Sequence, residues 1–130
     1  MAFIYLASPY SHANPVVQEK RMYNVSVIAA QLLAGGATVI SPVAHAGAFL
    51  GEACIRDQSH NFWMKHALNL LDVAESLYIA CLPGWQESRG LSEEVRYATM
   101  RGIDIFLVTN ENHPACDFVS EEEWQDYLNT

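Results

Sequence analysis

Basic residues are scarce in this 130-residue chain: seven Lys+Arg stand against fifteen Asp+Glu, a formal net charge of -8. A surface that acidic repels a polyphosphate backbone or an anionic bilayer, so nucleic-acid polymers and membranes are poor partners. A single phosphate is a different case, because backbone N–H groups and hydroxyls can hold it whatever the net charge. Cysteine is sparse too. Cys54, Cys81 and Cys116 show no C-x-x-C spacing, and an odd number cannot all pair within one chain, which predicts reduced thiols and a cytoplasmic setting. No apolar run approaches the roughly 18 residues of a membrane span, and no basic stretch precedes the first apolar one; neither a transmembrane helix nor a signal peptide is expected. His12, His45, His60, His66 and His113 form no H-E-x-x-H or Cys/His ligand pattern, and neither a Walker loop nor a dinucleotide fingerprint occurs. No metal and no cofactor are therefore expected.

What remains is an ordinary globular composition, 51% hydrophobic and 17% charged, with one domain predicted over residues 1–130. Phe3 to Ala7 is a continuous apolar run stopped by Ser8-Pro9, as in a strand buried on both faces. Pro15 to Ala34 reads as a helix with Asn14 as N-cap, Pro15 in its first turn and Gly35-Gly36 as its stop. Ala37 to Ile40 repeats the strand pattern and again ends in Ser-Pro, at Ser41-Pro42. Residues 43–60 are less regular and read as a loop or short helix. Met64, Ala67, Leu68 and Leu71 then form a helical stripe, followed by a strand from Ser76 to Leu82 that breaks at Pro83-Gly84. A helix from about Gly90 to Arg101 and a strand from Ile103 to Val108 come next. Beyond the polar loop Asn110 to Pro114, Asp117 to Val119 can form an edge strand, and Ser120 to Glu123 make a capping box that opens a last helix.

Strands alternating with helices predict an α/β fold: a three-layer α-β-α sandwich on a doubly wound parallel sheet of four to five strands, flavodoxin/Rossmann-like. Ligands of such sheets bind beyond the carboxyl ends of the strands, which directs attention to Ser8–His12, Ser41–His45, Pro83–Gly90 and Thr109–Asn112. The richest segment runs from Gly84 to Ala98. On its helix Leu91, Val95 and Ala98 define an inward stripe, and at roughly 100° per residue Glu94 lies about 60° from that stripe's centre, with Glu93 on the opposite side. The helix dipole in the first turns favours an ionised carboxylate, which suits a nucleophile. An acid near a helix start is also an ordinary surface feature, and a loop with Ser88 and Gly90 is by itself a weak ligand signal.

Several segments together resemble the nucleoside 2-deoxyribosyltransferase superfamily, which includes deoxynucleoside 5′-monophosphate N-glycosidases. They are Ile4-Tyr5-Leu6-Ala7-Ser8-Pro9-Tyr10-Ser11, then Gly36 with Val39-Ile40-Ser41-Pro42 and His45, then Leu82-Pro83-Gly84-Trp85, Ser88, Gly90-Leu91 and Glu94 with Ala98, in the family's order over most of the first 110 residues. The resemblance implies that Glu94 attacks the anomeric carbon, that the base departs, and that water or a second base resolves the glycosyl-enzyme. It gives Tyr5 the task of orienting that carboxylate through its hydroxyl, an alternative to plain core packing. It places Ser8, Tyr10 and Ser11 along the sugar and phosphate, Tyr10 within stacking reach of the base, and His45 near the base or phosphate. Ser88 stands where nucleotide-cleaving relatives use a serine on the 5′-phosphate and nucleoside-transferring relatives an aspartate; a hydroxyl donates to phosphate where a carboxylate repels it. Asn110 or Asn112 would serve a neighbouring subunit's site, so a homo-oligomer, a dimer or higher, is implied.

Two positions depart from the pattern. Ala67 falls where many relatives carry an aspartate that contacts the sugar or helps the leaving base, and Arg96 falls where glycine is usual. The missing acid leaves three outcomes: His66 or Asp72 substitutes, catalysis is slow, or the protein binds without cleaving. The expected function is cleavage of the N-glycosidic bond of a (deoxy)nucleoside 5′-monophosphate through a covalent glycosyl-enzyme on Glu94, by hydrolysis or base exchange. The alternatives are a non-catalytic nucleotide-binding or sensor protein, a nucleoside 2-deoxyribosyltransferase, and an NAD-type glycohydrolase. The acidic residues Glu111, Asp117, Glu121, Glu122, Glu123 and Asp126 crowd the C-terminal segment, which has no Lys or Arg, so the net charge describes that segment more than the ligand site.

Overall fold

The computed structural model describes residues 2–48 and 52–109. Four strands, β1 (Ile4–Ala7), β2 (Val39–Ile40), β3 (Ser76–Ala80) and β4 (Asp104–Val108), form one sheet in the order β2-β1-β3-β4. Every pairing is parallel, with Tyr5 opposite Ile40 on one side and Leu77 on the other. The helices are α1 (Pro15–Ala34), α2 (Pro42–Gly47), α3 (His60–Leu71) and α4 (Arg89–Arg101), with a 3-10 turn at Trp85–Glu87. The expected doubly wound α/β sheet is thus present, and the irregular region after β2 contains a helix of its own. The proposed edge strand and C-terminal helix lie outside the described residues.

The period of a strand divides the core into two layers. Tyr5, Ala7, Leu77 and Ile79 face α3 and α4, where they meet Ala67, Leu71, Leu91 and Ala98. Leu6 and Ala80 face the other way, against Val25 and Ile28 of α1. α1 presents Val17, Arg21, Asn24, Val25 and Ile28, a buried stripe at helical spacing. The caps match the sequence signals. Asn14 accepts from the Val16 N–H, Ser59 from Phe62 and Ser88 from Leu91, while Gly102 ends α4 in the left-handed conformation. β4, read as an apolar strand like the others, is an edge strand among the described residues, with Phe106 and Leu107 exposed.

Sheet order positions the site. The chain leaves β1 for β2 on one side, then crosses to β3 on the other, so β1 and β3 are neighbours whose outgoing loops diverge. That divergence opens a crevice at the carboxyl ends of the two strands, the place where α/β sheets bind ligands.

Candidate active site

A cavity of about 660 Å³ opens at this crevice. β1 and its loop supply Tyr5, Ser8, Tyr10 and Ser11; α2 supplies Pro42, Val43 and Ala46; the α4 side supplies Glu87, Ser88, Arg89, Gly90 and Glu94. A further wall is α3, whose His60, Trp63, Met64 and Ala67 follow one helical face, with His66 beside them; Gln18 and Gln58 complete the lining.

Tyr5 of β1 and Glu94 of α4 meet in the lining of the cavity. The Tyr5 hydroxyl donates to Glu94 Oε2, and both side chains are buried, Tyr5 fully and Glu94 at 7% exposure. Glu94 is the sixth residue of α4, a full turn deeper than a first-turn acid. The sequence expectation that the helix start keeps it ionised is therefore corrected: burial raises its pKa from 4.5 to about 7, the Tyr5 hydrogen bond opposes that rise, and the neighbouring Glu93 charge adds to it. Burial first, and then the Glu94 charge and hydrogen bond, push the Tyr5 phenol far upward. Tyr5 therefore stays protonated and serves as a fixed donor. It is the second residue of β1.

Ser88 combines two functions available to a hydroxyl. Its Oγ accepts the Leu91 N–H at 3.2 Å as the N-cap of α4, and its own proton remains free to be donated. Gly90 follows in the first turn, where helix N–H groups lack intrahelical acceptors. Ser8 is 5% exposed, and its Oγ is a buried polar atom with no hydrogen-bond partner. Burial raises the Tyr10 pKa, so this phenol too remains protonated.

A buried cation ties the loops of β1 and β3 together. Arg21 Nη1 on α1 donates to the carbonyl of Ser11 at 2.7 Å and of Tyr10 at 3.4 Å. Its Nη2 lies against Gly84, where an added Cβ would come within 2.5 Å of it. Gly84 has φ of +86°, a conformation open to glycine, so the β3 loop both turns and receives the guanidinium at this residue.

Other predicted residues are placed differently. His45 is exposed on α2 and does not line the cavity; its ring stacks on His66 with centroids 5.8 Å apart, so His66 holds the wall position. Asn110 lies outside the described residues. Ala67 lines the cavity at 8% exposure, which leaves a short methyl where the sequence resemblance leads one to expect an acid. Asp72 cannot replace that acid, since it accepts from the Tyr97 hydroxyl at 2.8 Å, pairs with Arg101 at 3.6 Å and is not on the cavity wall.

Sequence reasoning missed the rim of the site. His60 Nε2 lies 3.0 Å from Glu93 Oε1, and Arg89 Nε donates to the same oxygen at 3.2 Å. Glu93, on the far side of the α4 stripe, thereby bridges to the start of α3. The repeat His60, Trp63, Met64, Ala67 was the available signal, one helical row from the apolar stripe. Among the described residues no group of His, Cys, Asp and Glu is arranged to hold a metal.

Comparison with known proteins places this geometry in context. The family described as "Domain of unknown function (DUF1937)" matches residues 2–110. No curated protein sequence matches the chain. Among solved structures, a 2-deoxyribosyltransferase from the psychrotolerant bacterium Bacillus psychrosaccharolyticus is similar, with a TM-score of 0.59 at 22% identity over 99% of this chain and 92% of that one. The fold implied by the sequence resemblance is thus the fold observed. Among the described residues, no helix is long and apolar enough to cross a membrane.

Proposed function

The chain belongs to the DUF1937 family, and from that premise and the cavity's geometry we propose that it cleaves the N-glycosidic bond of a (deoxy)nucleoside 5′-monophosphate. The observation that carries this reading is the buried Tyr5–Glu94 hydrogen bond on the wall of the switch-point cavity. With its pKa raised to about 7, Glu94 is substantially ionised at neutral pH, and its buried setting leaves the carboxylate poorly hydrated. A carboxylate oxygen attacks C1′ of the sugar while the C1′–N bond breaks and its electron pair leaves with the base. The negative charge of Glu94 stabilises the oxocarbenium-like transition state before the ester forms. Tyr5 holds the second oxygen and fixes the attack direction. Water, or the nitrogen of a second base, then displaces Glu94 from C1′ and restores the carboxylate.

The monophosphate preference rests on Ser88, Ser8 and the start of α4. The two hydroxyls and the N–H groups of the first turn, Gly90's among them, form an uncharged donor set suited to a phosphate, with the Arg89 side chain at the rim. The fold of the deoxyribosyltransferase structure supports a nucleoside-type ligand generally. Ala67 favours one second reading, a nucleotide-binding protein that does not cleave.

Incubation with a panel of nucleoside and deoxynucleoside 5′-monophosphates, followed by chromatography of free base and intact-protein mass measurement, separates the two. The proposal expects base release and a glycosyl adduct on Glu94, both absent in Glu94→Gln. Base release at an unchanged rate in Glu94→Gln overturns it. Nucleotide binding with no base release favours the binder.

A further inference from the structure

We infer that His66 is the catalytic acid that gives the departing base its proton, an assignment that rests on the glycosidase reading above. A base leaving with the electron pair of the C1′–N bond is a poor leaving group unless a ring atom is protonated as the bond breaks. Several of the cavity's other candidates are already committed, and burial raises the pKa of the Tyr10 phenol, which makes it a weaker proton donor. Tyr5 donates to Glu94, and His60 and Arg89 both bind Glu93. Ala67 has nothing to donate, and Asp72 is turned away toward Tyr97 and Arg101.

His66 lines the same cavity as Glu94, one residue before Ala67 on α3, and its Nε2 is a buried nitrogen with no hydrogen-bond partner. Buried polar atoms of native proteins nearly always have partners, so an orphan nitrogen on a ligand cavity marks a place where the ligand supplies one. The His45 ring, stacked at 5.8 Å and 18°, fixes the plane of the imidazole from the side of α2. In its imidazolium form, Nε2–H passes its proton to the base as the C1′–N electron pair moves onto it, leaving neutral imidazole. In the second step the same nitrogen takes a proton from the attacking water, and the hydroxyl replaces Glu94 on C1′. Over one turnover the glycosidic bond and one water are consumed, and a free base and a sugar phosphate result.

The test compares two leaving groups on one sugar phosphate: the base of the nucleotide turned over fastest, and 4-nitrophenolate, which departs without a proton. In the first turnover, before water resolves the glycosyl-enzyme, His66→Gln and His66→Ala are expected to slow base release by about 100-fold or more while the burst of nitrophenolate stays within about threefold of the unaltered protein. Retained nitrophenolate release also certifies that the variants fold. Equal losses on both substrates, or no loss of base release, overturn the role of His66 alone. Glu94→Gln is expected to abolish both releases; its failure to do so, or the absence of both in the unaltered protein, overturns the glycosidase reading and this inference with it.

Discussion

Tyr5 of β1 and Glu94 of α4, 89 positions apart in sequence, share one buried hydrogen bond in which the phenol donates to the carboxylate. The bond lowers the Glu94 pKa against the larger upward push of burial, so the ionisation of Glu94 near neutrality depends on Tyr5.

A pH profile tests that dependence. A nucleophilic Glu94 must be ionised, so kcat/KM for the 4-nitrophenyl sugar phosphate, whose leaving group needs no proton, should climb as pH rises through about 7. In Tyr5→Phe the carboxylate loses its buried donor, and the rising limb should move to higher pH with activity at neutrality reduced about tenfold or more. A limb that stays in place would show that Tyr5 does not set the charge on Glu94.

The same carboxyl should make stability fall with pH. Its folded pKa of about 7 lies above its ordinary 4.5, so between these values the folded state holds more proton than the unfolded chain. Stability is then highest below the lower value, declines as pH rises across the window, and levels off above about 7. The full decline attributable to Glu94 is on the order of 3 kcal/mol. Glu94→Gln removes it, so thermal unfolding should find the variant more stable than the parent at pH 8 and nearly equal at pH 4.

Ser88 can be dissected by two substitutions. Aspartate is also a good N-cap, so Ser88→Asp should keep α4 anchored while placing a negative charge where the phosphate is proposed to sit. The expected result is a loss of about tenfold or more in kcat/KM on monophosphates, with the unphosphorylated nucleosides spared. Ser88→Ala loses the cap, at about 1 kcal/mol, and should lower the melting temperature as Ser88→Asp does not. Equal effects of Ser88→Asp on both substrate classes would place the phosphate elsewhere.

Gly84 and Arg21 should be coupled. Gly84→Ala meets a left-handed backbone, at roughly 1–2 kcal/mol, and in addition the guanidinium 2.5 Å from its new Cβ. Arg21→Ala removes the second obstacle and frees the Ser11 carbonyl. Denaturant unfolding of both single variants and the double variant should therefore give less than the sum of the single losses. Strict additivity would mean that the Arg21 contact with the β3 loop contributes nothing.

Much of the fold was legible because its signals are local. Asn14, Pro15 and Gly35-Gly36 bounded α1 correctly, and the apolar runs after Phe3 and Ser76 located β1 and β3, since chain entropy and capping act within a few residues. The helical projection put Glu94 beside the buried stripe of α4 for the same reason. It could not tell that Glu94 is buried, because burial depends on what other elements place above that position. His45 follows a Ser-Pro like the one near the site, and the resemblance implies a place near the base or phosphate; in the structure it is exposed and stacks on His66, which lines the cavity from α3. The polar bridge of His60, Glu93 and Arg89 joins the starts of two helices that no local pattern relates.

The sequence by itself determined which residues could do the chemistry: an acid in a helix, a strand tyrosine, and loop hydroxyls after Ser8 and at Ser88, in a chain poor in positive charge. Tertiary structure alone decided where they stand and which of them are buried. The sheet order β2-β1-β3-β4 opens the crevice between the first and third strands, and strand pleat turns Tyr5 toward α4 while Leu6 faces α1. Packing then removes water from Glu94 and raises its pKa toward neutrality. Hydration is a property of the surroundings that long-range packing assembles, and no short stretch of sequence specifies it.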